Sequence, residues 1–270
     1  MAERSVVVTG AASGIGAATA ARLATAGWRV IGVDKDECDI VADLGTAEGR
    51  RHAVEAAAAR CSGTLAAIVT CAGKAGLPGR AGSEVSGVNY FGTVDVLEGL
   101  RPLLDPGGAA VAISSNSTTV QPAVPADVVE ACLAHDEEGC ARLADAHGSV
   151  AAYPATKLAV AHWVRREATG PGWAGAGRRL NAVAPGMIDT PMVAEMRAHP
   201  EAGPLLEMLP IPVGRPGRPE EIAALIEFLL GPDSRFFCGS VVFCDGGSDA
   251  VLRTRDWPAT WDIARRDFPA

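Results

Sequence analysis

Residues 5–34 read SVVVTGAASGIGAATAARLATAGWRVIGVD. The β-branched run at 5–9 is short and carries no polar alternation, as expected of a strand buried on both faces. Three glycines (10, 14 and 16) follow it. An alanine-rich stretch over 15–27 then ends in glycine, which is the pattern of a helix and its stop. RVIGVD (29–34) reads as a second strand. Strand, tight turn, helix and strand make the β–α–β unit from which parallel sheets are built.

The alternation continues to residue 247. It predicts helices over 46–60, 84–101, 151–168 and 219–231. Strands are predicted at LAAIVTCAG (65–73), AAVAISS (109–115), RLNAVAP (179–185) and GSVVFCDGG (239–247). A short third strand precedes Asp43. The expected fold is one α/β domain over residues 1–270, of Rossmann type and doubly wound. Its seven-stranded parallel sheet is flanked by helices. Two segments lie outside the rhythm. Residues 117–149 are too long for an ordinary connection and contain DVVEACLAHDEEGCARLADAHG, which reads as a helical insertion. The tail 250–270 carries Trp257, Trp261 and Phe268, too apolar for a solvated end; the tryptophans could close a pocket or pack on a neighbouring subunit.

Composition excludes several function classes. Among 270 residues 48% are hydrophobic and 21% charged, and the formal charge is −8, which argues against a nucleic-acid footprint. The seven cysteines form no C-x-x-C pair and the five histidines show no ligand spacing, so neither a metal site nor a disulfide framework is expected. MAERSVVVTG is too short in apolar length for a signal peptide or a membrane span. The expected setting is the cytoplasm, with no membrane partner.

The glycine turn has a chemical reading. Gly10, Gly14 and Gly16 between a strand and a helix allow a tight turn and let a pyrophosphate approach the helix N-terminus. Their spacing is G-x-x-x-G-x-G rather than G-x-G-x-x-G, and a plain glycine-rich turn is the alternative. The second strand ends at Asp34, twenty-four residues after Gly10. A carboxylate there can accept from both adenosine ribose hydroxyls and repels a 2′-phosphate. With no arginine at 11–13, and Lys35 as the one dissenting charge, NAD is expected rather than NADP.

Tyr153 and Lys157, in AAYPATKLAV (151–160), stand one helical turn apart. A single Y-x-x-x-K is also what an ordinary surface pair looks like. The motifs together decide: TGAASGIG (9–16), Cys71-Ala72-Gly73, VNYFG around Asn89, ISSNS around Ser115, Tyr153 with Lys157, and PGMIDT (185–190). In this order and on these elements the chain resembles the short-chain dehydrogenase/reductase family over residues 5–247. Cys71 replaces the family's asparagine; it is read as a small buried hydrophobe rather than a redox group. VADLGTAEGR, TCAG, VNYFG and the long insertion resemble the bacterial 3α-hydroxysteroid dehydrogenase/carbonyl reductase branch, and coniferyl-alcohol dehydrogenases look similar.

The resemblance implies a catalytic set of Asn89, Ser115, Tyr153 and Lys157. Hydride passes between nicotinamide C4 and an alcohol carbon while Tyr153 acts as general acid or base. Lys157 and the oxidised nicotinamide ring lower its pKa and Lys157 also holds the ribose. Ser115 rather than Ser114 holds the substrate oxygen, and Asn89 holds a water on the proton path. Implied cofactor contacts are Gly10, Ser13, Gly14, Ile15, Gly16, Asp34, Asp43, Leu44, Ala72, Gly73, Tyr153, Lys157, Pro185, Ile188 and Thr190. Pro154 suits only a first helical turn, which puts Tyr153 at a helix start.

Four of five methionines (187, 192, 196, 208) fall in a lid over 187–212; they suit a bulky apolar substrate or simply a helix core. Arg197 and Arg215 are read as solvated. The expected activity is NAD-dependent interconversion of a hydrophobic alcohol and its ketone or aldehyde, with a steroid substrate first. A coniferyl or terpenoid alcohol is the second choice, and a non-catalytic NAD-binding regulator the third. The resemblance implies a homodimer or homotetramer through helices 84–101 and 151–168, which the insertion adds to or blocks.

Overall fold

The computed structural model describes residues 4–61 and 63–257. Trp261 and Phe268 lie outside that range; Trp257 is exposed. The strands are β1 Ser5–Thr9, β2 Arg29–Asp34, β3 Ile40–Val41, β4 Leu65–Thr70, β5 Leu104–Ile113, β6 Arg179–Pro185 and β7 Val241–Cys244. They form one seven-stranded sheet in the order β3-β2-β1-β4-β5-β6-β7. Every pairing is parallel.

The helices are α1 Gly14–Thr25, α2 Ala47–Arg60, α3 Gly82–Ser86, α4 Gly92–Leu100, α5 Ser117–Val120, α6 Ala126–Leu133, α7 Glu137–His147, α8 Ser149–Glu167, α9 Pro191–Ala198, α10 Ala202–Glu207, α11 Pro219–Leu230 and α12 Ser248–Leu252. Alternate strand residues feed opposite cores, because successive side chains leave a strand on opposite faces. Val7, Ile68, Ala110 and Ala112 join Ala53, Leu97, Ala159 and Trp163 on one side. Val6, Val8, Val69 and Val111 join Leu23, Ile222, Ile226 and Leu229 on the other. The chain reverses strand order between β1 and β4, so the crevice beyond their C-terminal ends is where such sheets bind ligands.

Three details differ from the expectation. The helix expected at 84–101 is interrupted by a π-helical turn over Gly87–Phe91. Pro154 does not sit in the first turn: α8 begins at Ser149, so Tyr153 is its fifth residue. A proline there cannot bond the carbonyl four residues back. Gln121 repairs the loss, its side-chain amide donating to Val150 O at 3.1 Å. Arg197 and Arg215, read as solvated, are paired at the surface with Glu207 (3.0 Å) and Glu221 (2.7 Å).

The insertion is helical, as α5, α6 and α7. Val128, Val129, Cys132, Cys140 and Ala144 are buried in the core that also holds Tyr90 and Phe91. α7 lies on α3 and α6 on α8, covering that flank of the two helices. Arg50 of α2 locks it down. Its side chain, 3% exposed, bonds Asp95 of α4 and Glu137 of α7, each at 2.6 Å. No described helix is long and apolar enough to cross a membrane.

Candidate active site

The turn after β1 is built where no side chain fits. Gly10 has φ +69°, and a Cβ there would stand 2.8 Å from the Ala72 amide nitrogen. A Cβ on Gly16 would overlap the Gly10 carbonyl oxygen. Gly14, at φ +53°, faces Thr190, whose Cγ2 would be 3.3 Å from an added Cβ. The glycine turn is therefore pressed between the start of the β4 loop and the lid. It opens the N-terminus of α1, with Ser13 as its cap and Ile15 and Gly16 in its first turn, and the Ser13 side chain caps none of the free amides there.

Asp34 ends β2 and is half-buried. Its Oδ2 accepts from the Ala12 amide at 3.0 Å, so the carboxylate stands beside the glycine turn. The segment it opens, DKDECD (34–39), holds four carboxylates against Lys35. Asp43 and Leu44 follow β3. Asp43 Oδ1 accepts from Gly45 N at 2.9 Å, and Leu44 is buried.

Ala72 and Gly73 follow β4. The Ala72 amide donates to Thr9 Oγ1 at 3.1 Å, joining the β1 and β4 ends. Gly73 sits beside the lysine. A Cβ on it would be 3.2 Å from Asn89 Oδ1, 3.5 Å from Lys157 Nζ and 3.8 Å from Met192 Cε. Asn89, fully buried, sits in the π turn and closes a two-way bond with the Lys74 backbone: Lys74 N donates to its Oδ1 at 2.7 Å, and its Nδ2 donates to Lys74 O at 3.0 Å. A π turn adds a residue to the helix and re-aims its side chains, which is common at functional sites. Cys71 is a protonated thiol, pushed up to about 12 by burial.

The two serines after β5 face different ways. Ser114 Oγ donates to Lys157 O at 2.9 Å and ties β5 to α8. Ser115 Oγ accepts from Ser117 N at 3.1 Å and interacts with the Tyr153 phenol. Lys157 is 3% exposed and donates from Nζ to Ile113 O at 2.9 Å. Burial holds its pKa down at about 8, with Cys71 working weakly the other way. Burial also raises the Tyr153 phenol above its ordinary value, and the Ser115 hydrogen bond counters it. The expected lowering of the phenol is therefore not present in the chain alone, where the Lys157 ammonium is aimed at the Ile113 carbonyl instead.

Pro185 ends β6, and Ile188 is buried beside Gly217. Thr190 caps α9, its Oγ1 accepting from Val193 N at 3.3 Å. Arg80 in the β4 loop bonds Glu195 of α9 at 2.7 Å, joining these two segments at the surface. Among the lid methionines Met192 reaches the Gly73 wall, while Met208 is exposed.

Comparison with known proteins agrees with this geometry. Residues 4–126 match the family model described as short chain dehydrogenase, and residues 141–249 match one described as enoyl-(acyl carrier protein) reductase. The 3-alpha-hydroxysteroid dehydrogenase/carbonyl reductase of Comamonas testosteroni is 37% identical over 254 residues, covering 92% of this chain and 97% of that protein. The chain belongs to the short-chain dehydrogenase/reductase family. Two further relatives place it within that family. A crystal structure of the 3-alpha-hydroxysteroid dehydrogenase from Pseudomonas sp. B-0831, complexed with NADH, superposes with a TM-score of 0.89 at 42% identity, covering 94% of this chain and 100% of that one. The coniferyl-alcohol dehydrogenase of Pseudomonas sp. (strain HR199) is 30% identical over 262 residues, covering 90% of this chain and 96% of that protein. As a short-chain dehydrogenase/reductase, this protein is an oxidoreductase.

The local folding of the site was partly hidden in the sequence. The Ser149 strap was missed: Ser149 Oγ accepts from Leu77 N at 3.0 Å and donates to Leu77 O at 2.5 Å, fixing the β4 loop to the start of α8. So was the Arg80–Glu195 pair. Neither has a local signal, because each joins residues more than seventy positions apart.

Proposed function

We propose that this chain is an NAD-dependent oxidoreductase that interconverts a hydrophobic alcohol and its ketone or aldehyde. A 3α-hydroxysteroid dehydrogenase/carbonyl reductase-like activity is the reading favoured. The observation that carries it is the meeting of Ser115 with Tyr153 beside a wall made by Gly73, Asn89 and Lys157. The whole chain works as one dinucleotide-binding domain, with an insertion at about 117–149 and a lid at about 187–212.

The site fits a dinucleotide. Gly10, Gly14 and Gly16 clear space at the α1 N-terminus for a pyrophosphate, with Ser13 and Ile15 beside it. Asp34 takes the adenosine ribose hydroxyls, and Asp36, Glu37 and Asp39 add to the repulsion of a 2′-phosphate. Asp43, Leu44 and Ala72 flank the adenosine; Gly73, Pro185, Ile188 and Thr190 line the nicotinamide end. When bound, the oxidised cofactor supplies the hydride acceptor and a positive ring that favours the phenolate.

The chain's own groups do the rest. Ser115 holds the substrate oxygen and stabilises the charge that develops on it. Tyr153 takes the hydroxyl proton in oxidation and returns it in reduction. Lys157, charged at neutral pH, hydrogen-bonds the nicotinamide ribose and adds positive charge near the phenol. Asn89 keeps the β4 loop in place through Lys74 and holds the water that continues the proton path. Met192 and Met196 present flexible apolar surface to the substrate.

The seven free cysteines support a place in the reducing cytoplasm. A homodimer or homotetramer fits the family, and α6 and α7 cover the flank of α3 and α8 that a second copy would otherwise use. Phe228 in α11 and the fully exposed Phe236, in the connection from α11 to the edge strand β7, leave an apolar surface for it.

The test is the initial rate of NADH formation from NAD with a 3α-hydroxysteroid, a coniferyl-type alcohol and a cyclic terpenol. Oxidation of the steroid supports the favoured reading, and turnover of another member moves the substrate class. NAD binding without turnover of any of the three supports a non-catalytic regulator.

A further inference from the structure

The turn that carries Ser115 is held from the far end of the chain. Asn116 Nδ2 donates to Asp245 Oδ2 at 3.4 Å, just beyond β7. Thr119 Oγ1 donates to Asp249 Oδ1 in α12 at 2.5 Å, across 130 residues. Asp249 is 8% exposed. Its amide donates to Asp245 Oδ2 at 2.7 Å, and Arg253 Nε donates to its Oδ1 at 2.8 Å. The guanidinium gives a buried carboxylate the charge partner it needs, which makes Asp249 a fixed anchor.

Inside the turn the bonds converge on Ser115. Thr118 Oγ1 donates to Ser115 O at 2.8 Å, Thr119 N donates to Asn116 O at 2.9 Å, and Ser117 N donates to Ser115 Oγ. A serine hydroxyl has one hydrogen and two lone pairs. With a lone pair taken by the Ser117 amide, the hydrogen of Ser115 goes to the Tyr153 phenol, the group with which it would share a substrate oxygen. That arrangement lasts only while residues 115–119 keep their turn, and α5 is too short to hold it by its own backbone bonds.

We infer that Asp249, acting through Thr119, is a positioning residue that clamps the 115–119 turn and so presents the Ser115 hydroxyl to the substrate. The C-terminal segment is thereby coupled to the reacting centre without touching substrate or cofactor. The inference rests on the reading of Ser115 given above.

The experiment is a double-mutant cycle on the full chain. Thr119→Val, Thr119→Ser and Asp249→Asn are made with Ser115 intact and again with Ser115→Ala. Each is assayed for oxidation of whichever alcohol the unmodified protein turns over best, with NAD affinity measured by calorimetry. With Ser115 present, Thr119→Val and Asp249→Asn lower kcat about tenfold, the size of one buried hydrogen bond to a charged group, and leave the Kd for NAD unchanged. Thr119→Ser keeps the donor and nearly the full rate. With Ser115→Ala, neither substitution lowers kcat further, because residues acting as one unit are not additive. Full additivity, or an unchanged kcat with Ser115 intact, overturns the clamp. A Ser115→Ala protein as fast as the original overturns the Ser115 reading itself, a result the clamp variants cannot imitate. Should Asp249→Asn fail to fold, the Thr119→Val and Thr119→Ser pair still decides, since they differ at that site in the hydroxyl and one methyl.

Discussion

Replacing Lys157 by methionine should make the cofactor-free protein more stable while destroying its activity. Lys157 is 3% exposed, and its pKa falls from 10.5 to about 8 on folding. That fall of about 2.5 pH units corresponds to about 3 kcal/mol at 1.36 kcal/mol each. The folded chain binds the proton less tightly than the unfolded one, so the cost is complete below pH 8. It disappears as the pH climbs past 10.5, where both states are neutral. Methionine fills a similar volume without the charge. It forfeits the bond to Ile113 O, at about 1 kcal/mol. The variant should therefore be more stable by about 2 kcal/mol at pH 7 and by about 1 kcal/mol at pH 9, because the unmodified protein recovers part of the cost in between. Reversible urea unfolding at the two pH values reads the gap directly. A Lys157→Met protein less stable than the original at pH 7, or a gap that does not narrow with pH, would refute the argument. The charge would then not be held at its own expense for function.

Three other substitutions follow from the same structure. Gly16→Ala drives a methyl into the Gly10 carbonyl and should cost about 2–3 kcal/mol, lowering Tm by about 5–10 °C and abolishing NAD binding in calorimetry. Asp34→Ala removes the ribose acceptor beside the glycine turn; KM for NAD should rise about tenfold and the preference over NADP should shrink in steady-state assays. Arg50→Ala breaks both bonds that hold α7 to α2 and α4. Because Asp95 and Glu137 are 27% and 42% exposed and solvent rescues them in part, the expected loss is about 2 kcal/mol rather than the 3–5 of a fully buried pair, seen as a Tm drop of about 4–8 °C.

What could be read from the sequence was what repeats locally. SVVVT and RVIGVD are strands because β-branched runs have few other uses, and the turn between them is legible because only glycine tolerates its conformation at Gly10. Asp34, Ser115, Tyr153 and Lys157 were read as site residues from motif and spacing. What escaped depends on partners far away in the chain. Pro154 sits deeper in α8 than its chemistry suggests because Gln121 satisfies the carbonyl it frees. Asn89 reads as a water holder, yet its visible bonds go to the Lys74 backbone through a π turn that no pattern marks. The insertion read as helical, but the face it covers depends on Arg50, and the clamp on Ser115 depends on Asp249. The pKa of Tyr153 was unreadable for a different reason. It depends on how deeply the phenol is buried and on where the Lys157 ammonium points, and neither has a signature in the chain.

The central claim is that the Tyr153 hydroxyl moves the substrate proton. Tyr153→Phe removes that one oxygen and leaves the ring, so it tests the claim with the least collateral change. NADH formation from the preferred alcohol should fall at least about a thousandfold, the upper range for losing a positioned acid–base group, while the Kd for NAD stays within about twofold. A variant that binds NAD and still turns over at a rate comparable with the original would contradict the account.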